Sequence, residues 1–118
     1  MIVYCAGKYR AATPELVALN VRKAEDLAAA VLAQGIAVYC PHSMTHEWER
    51  YDTLDDDKFL FNGLEILKVC DAVLLIPGYE TSQGTLAEID CAEEYGIPVF
   101  KTIRKLLQYC RAFSAGVE

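Results

Sequence analysis

Apolar positions along the chain fall into short solid runs separated by longer amphipathic stretches, a pattern that predicts strands alternating with helices. Ile2 to Ala6 is apolar throughout and ends at Gly7, as expected of a strand buried on both faces and followed by a tight turn. Thr13-Pro14-Glu15 then supplies an N-cap, a proline at the first helical position and an acid in the first turn. The helix they open should run to about Gln34 and stop at Gly35. Ile36 to Cys40 reads as the second strand, ended by Pro41. From His42 to about Leu54 neither period is present, so an irregular loop is expected, and loops of that length often carry function. Asp55-Asp56-Asp57 precedes a stripe of Phe59, Leu60, Gly63, Leu64 and Leu67, a helix to about Val69. Ala72 to Ile76 is the third strand, Pro77 to Thr81 a turn, and Ser82 to Tyr95 a helix stopped by Gly96. Ile97 to Phe100 is the fourth strand, and Thr102 to about Phe113 a closing helix before a frayed tail.

Strands alternating with helices of this length imply right-handed crossovers. The expected fold is therefore α/β: a three-layer, Rossmann/flavodoxin-like domain over residues 1–118, its parallel sheet of four or five strands in the order 2-1-3-4. The 118 residues suffice for one core and are short for two. In such sheets ligands bind beyond the carboxyl ends of the strands, where the order reverses. The loop Gly7 to Arg10 and the turn Pro77 to Gly84 should meet there.

Within the third long helix one acid stands apart. At about 100° per residue, Glu88 projects with Gly84, Cys91, Ala92 and Tyr95, whereas Asp90 and Glu94 point away and Glu93 lies on the flank. A carboxylate among small and apolar neighbours is costly unless paired or neutralised, and such groups concentrate at functional sites. The structural alternative is an ion pair with Lys8 or Arg10.

The net charge of −6 argues against a nucleic-acid polymer as partner, since Lys and Arg are outnumbered and form no stripe. Small anions remain compatible with a local cluster such as Lys8 and Arg10. Five cysteines without a Cys-x-x-Cys spacing read as reduced core thiols. With no leader-like start and no apolar stretch near 18 residues, the expectation is a cytoplasmic protein without a membrane partner.

Several groups could complete a site. Free N–H groups over Ser82 to Gly84 would hold an anion at the helix start, although Thr81 or Ser82 is equally readable as a plain N-cap. Cys40, His42 and His46 have spacings that could supply metal ligands but lack a clear fourth, so pocket lining is preferred and neither metal nor cofactor is expected. Tyr9, Trp48 and Tyr51 could stack on a flat ligand or simply pack the loop.

The segments Tyr4-Cys5-Ala6-Gly7-Lys8-Tyr9-Arg10 and Cys70 to Ser82, then Gly84, Glu88 and Gly96-Ile97-Pro98-Val99, resemble the nucleoside 2-deoxyribosyltransferase-like superfamily, and in particular its small phage and bacterial members. The resemblance implies that Glu88 is a nucleophile taking a deoxyribosyl group from a base. Ser82 stands where transferases of free nucleosides carry an acid and where the similar 2'-deoxynucleoside 5'-monophosphate N-hydrolases carry a phosphate-contacting serine, which implies a nucleoside monophosphate. On this reading the ligand is held by Ala6, Gly7, Lys8, Tyr9, Arg10, His42, Asn62, Gly78, Ser82 and Gly84.

Two positions and one element depart from the family pattern. Gly63, beside Asn62, stands where the family has an aspartate that protonates the leaving base; Asn62, His42, His46 and Glu65 are the candidate replacements. Val3 aligns with a tyrosine that orients the nucleophile, and strand alternation should point neighbouring Tyr4 to the other face. The family's fifth strand has no counterpart. Pro77-Gly78 with Gly84-Thr85-Leu86-Ala87-Glu88 also resembles, with a longer loop, the Lonely guy phosphoribohydrolases. The expected function is N-glycosidic hydrolysis or deoxyribosyl transfer on a nucleotide, by a homo-oligomer; a catalytically weak nucleotide-binding module and a purely structural subunit are the alternatives.

Overall fold

The computed structural model describes residues 1–114; the expected frayed tail falls outside them. Strands β1 (Ile2–Ala6), β2 (Ala37–Tyr39), β3 (Ala72–Leu75) and β4 (Val99–Phe100) form one parallel sheet in the order β2-β1-β3-β4. Helices α1 (Pro14–Ala33), α2 (Pro41–Thr45), α3 (Asp56–Leu67), α4 (Gln83–Glu94) and α5 (Ile103–Ser114) complete the architecture. The fold is thus the expected α/β, three-layer, Rossmann/flavodoxin-like one, with four strands among the described residues.

Alternation along the strands sorts the core into two halves. Val3, Ala72 and Leu74 pack with Val31 of α1 and Leu106 and Cys110 of α5 on one face. On the other face Tyr4, Ala6, Val73 and Leu75 pack with Leu67 of α3 and Cys91 and Ala92 of α4. Every residue from Val3 to Ala6 is fully buried, as expected of a central parallel strand covered on both sides.

The helix starts follow the sequence closely. Thr13 Oγ1 accepts from Leu16 N–H at 3.2 Å, Asp55 Oδ1 from Lys58 N–H at 2.9 Å, and Ser82 Oγ from Thr85 N–H at 3.2 Å. The stretch expected to be irregular is instead partly ordered: α2 occupies its start and a 3-10 turn, His46–Arg50, follows. Pro41, read as the end of a strand, sits at the first position of α2, where its missing N–H costs nothing. A helix of five residues is too short to register a period.

Beyond the strand ends, β1 and β3 approach closely. Ile76 N–H donates to Ala6 C=O at 2.8 Å, and a Cβ on Gly7 would lie 2.5 Å from Ile76 Cβ. Only glycine fits at 7. The chain therefore leaves β1 directly over the point where the strand order reverses.

Candidate functional site

A cavity of about 480 Å³ opens at this reversal point, on the α3 and α4 side of the sheet. Glu88 lines it from α4 and is only 9 % exposed. Thr85, Cys91 and Ala92 share its buried stripe, while Asp90, Glu93 and Glu94 face solvent, as the helical wheel predicts. Two wheel neighbours differ. Gly84 is exposed to the cavity, and Tyr95, as the C-cap, leaves the stripe and places its ring 5.4 Å from Lys68 Nζ.

Glu88 has no ion-pair partner among the described residues. Its Oε2 accepts a short hydrogen bond from the Tyr4 hydroxyl, and burial pushes the Glu88 carboxyl up to about 7, against the opposing pull of that bond. Burial, then the adjacent Glu88, raises the Tyr4 phenol far above its ordinary range, so Tyr4 stays protonated and donates to the ionised Glu88 carboxylate. The expectation that Tyr4 faces away is corrected: Tyr4 lies on the α3/α4 face and Val3 on the α1/α5 face. A one-residue difference in register inverts every side chain of a strand, and here the register turns Tyr4, not Val3, towards Glu88.

Gly63 explains how the phenol reaches Glu88. A Cβ at 63 would lie 2.6 Å from the Tyr4 hydroxyl and 3.7 Å from Glu88 Oε2. The space in which a side chain at 63 would begin is filled by the Tyr4 oxygen. The glycine at 63 and the buried tyrosine at 4 are thus one packing decision.

At the mouth, Ser82 caps α4 while Thr85 Oγ1 also donates to its Oγ at 3.0 Å, leaving the Ser82 hydroxyl hydrogen to be donated outward. Gly7, Lys8, Tyr9 and Arg10 line the cavity from the β1 exit, and His42, Ser82 and Gly84 also line it. Lys8 has no carboxylate within ion-pair distance among the described residues. Arg10 differs: its guanidinium is bonded to Glu49 at 2.8 Å and to Asp56, which raise its already high pKa. Arg10 is therefore a strap between the β1 loop, the 3-10 turn and the start of α3 rather than an open anion grip.

His42 is 5 % exposed, and burial holds its pKa below the ordinary histidine value. Its Nε2 lies 3.0 Å from Lys8 C=O, which can only accept, so the proton sits on Nε2. Nδ1 is buried with no partner. Tyr9 OH bonds His46 Nδ1 at 2.9 Å, so both rings brace the β1 loop. No group of three or more metal-ligating side chains is arranged around a common point among the described residues.

Three expected ligand contacts lie elsewhere. Ala6 is wholly buried in the core, Asn62 is directed at the Tyr39 hydroxyl from α3, and Gly78 lines a second cavity of about 350 Å³. Strand alternation sends Ala6 inward, and the turn of α3 that presents Gly63 to Tyr4 carries Asn62 off the cavity. Gly78 has a φ of +92°, which turns the chain towards the α1 side. Of the candidate replacements for the aspartate only His42 lines the first cavity; Asn62, His46 and Glu65 do not. Trp48 and Tyr51 also lie outside it. Glu49, Asp56 and Asp57 line it and were not anticipated; the acidic triplet signalled a helix start and nothing more.

Residues 1–102 match the family described as Domain of unknown function (DUF7768). The chain belongs to the DUF7768 family. The match spans every element from β1 to β4, and so every residue of both cavities in this DUF7768 domain, while α5 begins immediately after it. A comparison with curated proteins finds no match.

Proposed function

We propose that this protein breaks the N-glycosidic bond of a nucleoside 5'-phosphate, with Glu88 as the nucleophile. The observation that carries the reading is Glu88 itself: a buried carboxyl on the wall of a cavity, held by Tyr4 through one oxygen. The other oxygen, Oε1, is left for the anomeric carbon. In the first step the Oε1–C1' bond forms as the C1'–N bond breaks, the electron pair leaving with the base, which takes up a proton. In the second, water or another base attacks C1' and returns the electron pair to Glu88. With a pKa of about 7, the carboxyl is ionised in a large fraction of molecules at neutral pH, as a nucleophile requires.

Lys8, the Ser82 hydroxyl and the N–H groups at the start of α4 are the proposed holders of the 5'-phosphate. Tyr9 and His42 line the same cavity and would meet the sugar or base. The resemblance to nucleoside 2-deoxyribosyltransferase-like proteins supports this assignment, and the serine at 82 supports a phosphorylated ligand.

A second reading, a nucleotide-binding module that turns over slowly, is favoured by Gly63. With the Tyr4 hydroxyl in the place of an acid, no carboxyl reaches the leaving base from α3 at that point, and loss of a general acid costs roughly 10²–10⁴ in rate. A Lonely guy-like phosphoribohydrolase has less support, since Gly78 is separated from the start of α4 by a 3-10 turn, Tyr79–Thr81.

A homo-oligomer is the proposed assembly, supported by the exposed Phe61 on α3 and Val69 just past its end, and sedimentation tests it. A reducing, cytoplasmic setting fits the five free cysteines; no described helix is long and apolar enough to cross a membrane. The catalytic reading is tested by acid quench of a reaction with 2'-deoxynucleoside 5'-monophosphates. A deoxyribosyl 5-phosphate mass on the peptide containing Glu88 supports the nucleophile; base release with the glycosyl group on no enzyme residue or on another one contradicts it.

A further inference from the structure

The first cavity gathers four carboxylates, Glu49, Asp56, Asp57 and Glu88, against two cations, Lys8 and Arg10. Two of those carboxylates already neutralise Arg10. A ligand with several negative charges therefore meets an unfavourable balance there, apart from Lys8 and the start of α4.

The second cavity reverses the balance. It lies on the α1 side of the same crevice and shares Lys8 and Thr81 with the first. Its charged lining side chains are Lys8 and Lys23, with no carboxylate among the described residues that line it. Neither lysine has a carboxylate within 4 Å among the described residues. In a chain of net charge −6, this is a local field of opposite sign, and a concave one. The wall is also anchored: Asn20, one turn before Lys23 on α1, donates from Nδ2 to Tyr9 C=O at 3.1 Å, tying this face of α1 to the β1 loop. Solvated surface lysines alone would not share a cavity with the exit of β1 or abut the site of Glu88.

We infer that the second cavity seats the terminal phosphate of the ligand whose sugar lies at Glu88, so that the substrate class is a nucleoside 5'-diphosphate or longer polyphosphate rather than a monophosphate. The inference rests on the reading of the first cavity as a nucleotide site. Lys8, lining both cavities, bridges consecutive phosphates; Lys23 and the Thr81 hydroxyl hold the outer one.

Titration calorimetry of the full chain with 2'-deoxynucleoside 5'-mono- and diphosphates and with inorganic pyrophosphate tests it, in wild type and Lys23→Glu. Lys23 is exposed on α1, so the variant should fold normally. The diphosphate should bind about tenfold more tightly than the monophosphate, the worth of one charge-assisted contact. Lys23→Glu should erase that preference, leave the monophosphate affinity within about twofold and weaken pyrophosphate by about tenfold or more. Equal binding of mono- and diphosphates, or a diphosphate preference that survives Lys23→Glu, overturns the inference and leaves the Glu88 site standing. Lys23-dependent binding of pyrophosphate with no binding of any nucleotide supports an anion seat but overturns the nucleotide reading on which the substrate class depends.

Discussion

Tyr4 and Glu88, 84 residues apart in the chain, meet in a buried hydrogen bond between β1 and α4. The bond leaves one carboxyl oxygen committed and the other free, and it stands over a glycine that cannot be enlarged without moving the phenol. Packing, protonation and the proposed chemistry therefore converge on one contact.

Removing the hydroxyl isolates the effect of that bond. Tyr4→Phe takes a donor from a buried carboxylate, so Glu88 should titrate above its present value of about 7 and the acid limb of any pH–rate profile should move upward. The loss in stability should be about 1–3 kcal/mol at pH 8, measured by urea unfolding. A profile that stays in place would detach Tyr4 from the proton on Glu88.

The raised pKa of Glu88 has a stability signature of definite sign. The folded protein holds this proton up to about pH 7, whereas the ordinary value is 4.5, so the folded state binds more protons between the two. Wild-type stability must therefore fall, through this group, as pH rises across that window. Glu88→Gln lacks the titration, and its stability relative to wild type should grow by about 3 kcal/mol from pH 4.5 to above pH 7. Parallel stability–pH curves for the two proteins would show that Glu88 titrates normally.

Gly63→Ala places a methyl against the Tyr4 hydroxyl and should destabilise by about 1–3 kcal/mol, despite the better helix propensity of alanine. In a Tyr4→Phe background the nearest ring carbon is 3.8 Å from the new methyl, so the penalty should vanish or reverse. A double-mutant cycle reads this as a coupling of about 1 kcal/mol or more. Additive effects would mean that the two positions do not share the space.

Arg10 and Lys8 should separate in ligand binding although both were expected to grip phosphate. Arg10→Ala removes a charge already held by Glu49 and Asp56, and nucleotide affinity should change by no more than about twofold. Lys8→Ala removes an unpaired ammonium shared by both cavities and should weaken binding by about tenfold. The reverse order of effects would place the phosphate at Arg10.

The sequence disclosed what depends on local patterning. Solid apolar runs located four parallel strands, Thr13, Asp55 and Ser82 announced their helices, and the wheel isolated Glu88 as the buried acid. What stayed hidden depends on register and on contacts between distant segments. Whether Val3 or Tyr4 faces α4 turns on a single-residue offset that an apolar run buried on both faces does not reveal. The partners of Arg10 lie 39 and 46 residues away, so its neutralisation could not be read from a neighbouring acid. Lys23 drew no attention on a helix with no special spacing, because only the fold brings it beside Lys8.

The central claim is that Glu88 breaks the bond between sugar and base. Release of free base from 2'-deoxynucleoside 5'-phosphates, followed by chromatography with wild type, Glu88→Gln and Glu88→Ala, tests it most directly. Turnover by wild type with a loss of about a thousandfold or more in both variants is the expected result. No base released by wild type, or release at an undiminished rate by folded Glu88→Gln, would contradict it.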